Sequence, residues 1–129
     1  MKRLLVTALL FFACTAANAE WKLLLDGKTQ RVYVEDTSVM VSGDFVKLWV
    51  SFRYPIEQNT LGWSFKYRNA MYYYGFNCKE AEVRVTFVAY FLAEDGTGSS
   101  AHESNNPSAL WKPIIPNSYD EMIKKWACR

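Results

Sequence analysis

Hydrophobic and polar positions along most of this chain alternate with a period of two, the spacing of half-buried strands, and change to helical spacing only near the C-terminus. Trp21–Leu25 is a short apolar run closed by the turn pair Asp26-Gly27, and Arg31–Glu35 (RVYVE) alternates charged with β-branched and aromatic residues. Val39–Val41, the turn Ser42-Gly43-Asp44 and Phe45–Tyr54 (FVKLWVSFRY) predict a hairpin. In its second arm Val46, Leu48, Val50, Phe52 and Tyr54 share one face, and Phe45, Lys47, Trp49, Ser51 and Arg53 share the other. Pro55, which has no N–H for a ladder, is expected to end that strand.

Trp63–Arg68 and Met71–Phe76 are aromatic enough to be strands, with Gly75 as an expected bulge just before Cys78. Glu82–Leu92 has the clearest alternation, placing Val83, Val85, Phe87, Ala89 and Phe91 on one face. The polar, glycine-containing stretch from Glu94 to Pro107 lacks aromatic residues and is expected to be a mobile surface loop. Pro113 and Pro116 then lead to the helix. Ser118 is its N-cap, with Glu121 completing a capping box, and Tyr119, Met122, Ile123 and Trp126 fall on one face. A helix of about a dozen residues is marginal alone in water, so it must dock. The pattern predicts an α+β domain: one antiparallel sheet of about six strands with a C-terminal helix packed on it.

The first 19 residues do not fit that pattern. Lys2 and Arg3 precede an apolar run from Leu4 to Ala13, and the segment closes on Ala17-Asn18-Ala19. These are the three parts of a secretory signal peptide cleaved after Ala19, leaving residues 20–129 as one domain. The competing reading is a lipoprotein signal with Cys14 as the lipidated residue. Phe11 and Phe12 fit such a signal poorly, and a good cleavage site lies just beyond. No later segment approaches the ~20 apolar residues of a membrane span.

Removing Lys2 and Arg3 takes the charge balance from 15 basic against 13 acidic residues to 13 against 13. A formally neutral chain gives no electrostatic case for nucleic acid. Two cysteines, Cys78 and Cys128, remain in a chain bound for an oxidising compartment, and their default is one disulfide. They lie too far apart for a C-x-x-C redox pair, and no histidine adjoins either to suggest a metal site.

Candidate chemistry is sparse. His102, the single histidine, sits beside Glu103 and Ser104, and sequence neighbours on a loop do not face one another as a hydrolase triad must. Gly96-Thr97-Gly98-Ser99-Ser100-Ala101 has the letters of a dinucleotide fingerprint but no helical pattern after it. Glu35-Asp36 and Glu94-Asp95 read as solvated turns rather than acid and base facing each other across a cleft. No catalytic residue, metal ligand or cofactor is expected. The remaining feature is aromatic and basic interleaving from Trp63 to Tyr74, whose rim of Lys66, Arg68 and Tyr72 is the candidate binding surface.

Trp21, Tyr33-Val34, Ser38-Val39, Val46–Trp49, the aromatic run into Cys78, Arg84, Trp111-Lys112-Pro113, Pro116-Asn117-Ser118 and Cys128 form an ordered set of landmarks. In order and spacing the set resembles the surface-adhesin protein E family over nearly all of residues 21–128. The resemblance implies an antiparallel sheet with a C-terminal helix, a Cys78–Cys128 disulfide, a Gram-negative envelope location and no enzymatic activity. Its best-known member is an outer-membrane lipoprotein adhesin for host extracellular-matrix and plasma proteins, which are therefore the expected partners. This chain departs in lacking a good lipobox, and no ligand motif transfers to particular residues. The alternatives are a periplasmic module holding a glycan or cell-wall fragment on exposed Tyr and Trp faces, and a small secreted hydrolase dependent on His102.

Overall fold

The computed structural model describes residues 20–129 apart from residue 61; the signal-peptide reading of residues 1–19 and the Cys14 alternative lie outside them. Eight strands form one sheet: β1 (Trp21–Asp26), β2 (Arg31–Glu35), β3 (Met40–Ser42), β4 (Phe45–Gln58), β5 (Tyr67–Asn77), β6 (Glu82–Phe91), β7 (His102–Asn105) and β8 (Lys112–Pro113). The main order is β1-β2-β4-β5-β6-β7; β3 pairs with β4 and β8 with β6, and every pairing is antiparallel. One helix, α1 (Tyr119–Ala127), follows.

The apolar row of β4 decides which face is covered. Val46, Leu48, Val50 and Phe52 are buried with Val32, Val34, Phe76, Val83 and the helix residue Ile123. Ile123 is completely buried, worth roughly 1.5–3 kcal/mol relative to exposure. The Tyr74 hydroxyl donates to Asp120 at 2.9 Å, and Tyr119 meets Phe52 edge-on, so α1 lies on this face. Cys78 and Cys128 are joined, with Cα atoms 5.7 Å apart, tying the end of β5 to the end of the helix. The Ser118 hydroxyl caps the Glu121 N–H as expected, but the Glu121 carboxylate accepts from the Asn117 N–H, one residue before the cap. Asn117 has a φ of +61°, a conformation asparagine tolerates.

Several expected boundaries move. Pro55 does not end its strand: β4 runs on to Gln58, while its register with β5 lapses between Arg53 and Gln58. A missing N–H interrupts the ladder without stopping the extended chain. Arg68 donates to the carbonyls of Tyr54 and Pro55 there, at 3.3 and 2.7 Å, and pairs with Glu94 at 3.1 Å. Trp63–Arg68 is not a strand; residues 63–66 are irregular, and Tyr67–Asn77 is one continuous strand. Gly75 is not the bulge, being in register with Lys47 and Arg84. The stretch from Glu94 to Pro107 is not wholly loop, because His102–Asn105 pairs with β6 as β7.

The correction with most consequence lies in β6. Tyr73 pairs with Phe87 and Tyr74 with Val85, so Thr86 is an extra residue opposite β5. Val83 and Val85 pack toward the helix side. Beyond the bulge the faces exchange, and Phe87, Ala89 and Phe91 stand on the opposite side from Val83.

Candidate functional site

The face opposite α1 carries Trp21, Tyr33, Trp49, Met71, Tyr73 and Phe87, with no helix over it among the described residues. Trp49, on β4, lies 4.8 Å from Tyr73 of β5 and 5.7 Å, edge-on, from Phe87 of β6. Cross-strand pairing fixes this row. Beside it a groove of about 510 Å³ is walled by Trp21, Trp49, Met71, Phe87 and Phe91, with Glu103 at its side. A second hollow of about 450 Å³ shares Trp49 and Phe87 and adds Lys47, Tyr73 and Arg84. Both fall in the size range of ligand clefts, apolar with a few polar groups. Ser38, at the groove, has a buried hydroxyl oxygen without a hydrogen-bond partner among the described residues.

Cations stack on the outer rings. The Arg53 guanidinium lies 4.0 Å from the Tyr33 centroid, and that of Arg84 lies 4.5 Å from Trp111. Ser51 and Asn69 are fully buried beside Arg53, linked at 3.2 Å, and the Asn69 amide donates to the Glu94 carbonyl. The turn after β6 presses on Met71 and Asn69: a Cβ at Gly96 would clash with Met71 Cε and fall 3.0 Å from Asn69 Nδ2, and its φ is +77°. Gly96 is there for close packing in a turn, and a strand rather than a nucleotide-binding helix follows.

Glu35 forms one end of the groove and is buried. Burial by itself would raise its pKa, but the donors of Ser38, Thr37 and Glu20 outweigh that and hold it down to about 2. Its carboxylate accepts from the backbone N–H groups of Glu20 at 3.0 Å, Thr37 at 3.0 Å and Ser38 at 2.8 Å, and from the Thr37 hydroxyl. A carboxylate so held is no proton donor near neutrality. It fastens the start of β1 and the turn after β2. Its depressed pKa gives stabilisation that is complete above the ordinary value of 4.5 and lost as pH falls from there toward 2. Urea unfolding from neutral pH to about pH 3 is therefore expected to show Glu35→Gln less stable at neutrality by on the order of 2 kcal/mol, with the gap closing in acid. A gap that persists unchanged at pH 3 contradicts this role.

The candidate rim residues are not brought together. Lys66 is exposed in the irregular segment before β5, and Arg68 is engaged with the carbonyls and Glu94 described above. Tyr72 is partly buried against Phe52 and Tyr74 on the helix side, where burial raises its pKa. His102 stacks on Phe65 at 4.8 Å, on the same side as Tyr90. Glu103, the next residue on β7, points to the open face and lines the groove, so strand alternation sends the two in opposite directions. A triad built on His102 and Glu103 is not assembled.

Alternation alone puts Trp49 and Phe45 on the side of β4 that also carries Lys47, Ser51 and Arg53, and the aromatic content of that side is the sequence signal for the open face.

No helix among the described residues is long and apolar enough to cross a membrane. A comparison with curated proteins finds no match. The family model described as surface-adhesin protein E matches residues 21–129, nearly the whole chain. The sheet, the terminal helix and the disulfide agree with that match, and the chain belongs to the surface-adhesin protein E family.

Proposed function

We propose that this is a non-enzymatic, exported protein of the Gram-negative envelope that binds host extracellular-matrix or plasma proteins through the open face of its sheet. Residues 1–19 act as a cleaved signal peptide, and residues 20–129 are the working domain. Membership of an adhesin family supports the class of activity. The observation that carries the choice of face is the groove around Trp49. Centrally placed Trp and Tyr residues with flanking Arg are the composition of binding hot spots, and this face is the one the helix leaves bare. The helix side, by contrast, uses its aromatic residues to bury one another.

The chain beginning at Glu20 should bind at least one of immobilised laminin, vitronectin and plasminogen saturably in a surface-resonance titration. Absence of saturable binding to all three would remove the adhesin reading and leave the fold and family standing.

A further inference from the structure

The groove and the hollow that adjoins it at Trp49 and Phe87 differ in charge. Lys47 and Gly75 are cross-strand neighbours, as are Gly75 and Arg84, so two cations flank a position with no side chain of its own. Neither cation has an ion-pair partner among the described residues, and Lys47 is exposed. Two residues further along β4, roughly 7 Å away at strand rise, stands Trp49. The groove on the other side of Trp49 and Phe87 adds Met71, the Glu103 carboxylate and the unpartnered Ser38 hydroxyl. The hollow is thus cationic, the shared rings are aromatic, and the groove is acceptor-rich.

We propose that the hollow and the groove together bind an acidic glycan in which a uronic acid alternates with a neutral N-acetylhexosamine. The uronate carboxylate meets Lys47 and Arg84, as charge-assisted hydrogen bonding favours. The neighbouring ring lays its apolar C–H face on Trp49, with hydroxyls at its rim, as an amphipathic aromatic surface accommodates. Its acetamido N–H faces Glu103, its methyl group faces Met71, and a hydroxyl reaches Ser38. A second anion at that end would meet the Glu103 charge, so a uniformly acidic chain is disfavoured. An uncharged chain would leave the two cations unmatched. The inference rests on the open face being the binding face, and it adds a glycan to the matrix and plasma proteins proposed for that face.

The probe is a hyaluronan hexasaccharide, titrated into the chain from Glu20 while tryptophan fluorescence is followed, with chitohexaose as the neutral comparison. The hexasaccharide should give a saturable change, chitohexaose should bind at least about tenfold more weakly, and Lys47→Glu should weaken the hexasaccharide by at least about tenfold at an unaltered melting temperature. No saturable change, equal affinity for both sugars, or an indifferent Lys47→Glu variant would overturn it. Matrix-protein binding in the absence of hexasaccharide binding would refute the glycan and spare the adhesin reading, whereas loss of both would refute both.

Discussion

Replacing Cys78 and Cys128 together by serine is expected to lower the stability of the domain by about 2–4 kcal/mol and its melting temperature by roughly 10–20 °C. The two cysteines are 50 residues apart, for which the chain-entropy model gives roughly 4 kcal/mol, an upper figure. The bond also acts on a weak element. α1 has nine residues, too few to persist alone in water, and Ile123 is its only fully buried side chain. Without the bond to Cys78, the helix end is held by Met122, Trp126 and Ala127, which are only partly buried against the core. Undocking would expose Val46, Leu48 and Phe76 to water. Urea and thermal melts of the oxidised protein, the reduced protein and the double variant measure the effect, with the last two expected to coincide. A loss below about 0.5 kcal/mol would mean that packing alone holds the helix.

Deletion of Thr86 tests the bulge itself. With the extra residue removed, Val85 stays opposite Tyr74 and Phe87 opposite Tyr73, so strict alternation matches the pairing and every later side chain keeps its present face. Tyr90 should therefore keep the rings of Tyr67, Phe65 and Trp63. What is lost is the local twist of the bulge and the Thr86 carbonyl that accepts from the Asn106 N–H at 2.7 Å. A loss of about 1–3 kcal/mol with cooperative folding retained is expected. Thr86→Ser, which keeps the bulge, should stay within about 1 kcal/mol of the parent in the same melts. A deletion variant that no longer folds cooperatively would contradict this reading of the bulge.

What the sequence made legible follows from local pattern. The core row of β4, the helix with its Ser118 cap and the pairing of the last two cysteines each rest on a period, a cap or a count, and each is present. The bulge at Thr86 could not be read that way. Val83, Val85, Phe87, Ala89 and Phe91 alternate without interruption, so the period persists while the faces exchange, and only the partner strand shows the extra residue. Pro55 sits inside β4 for a similarly non-local reason, because Arg68 from another strand donates to the Tyr54 and Pro55 carbonyls where the ladder lapses. The stretch before Pro107 is polar enough for a loop, yet backbone pairing with β6 asks nothing of side-chain polarity. The candidate site is as invisible to local pattern as the bulge. Trp49, Phe87 and Trp21 come from three separate strands, and their meeting is a property of register rather than of any contiguous motif.

Which face of the sheet does the binding decides the proposed function. The most direct measurement compares two surface variants, Trp21→Lys on the open face and Lys124→Glu on the helix, for affinity toward whichever immobilised matrix or plasma protein the parent chain binds. Both are expected to melt within a few degrees of the parent. Trp21→Lys should weaken binding at least about tenfold, near 1.4 kcal/mol, while Lys124→Glu leaves it unchanged. The opposite ordering, with the helix variant impaired and the tryptophan variant intact, would place the binding surface on the covered side and contradict the account.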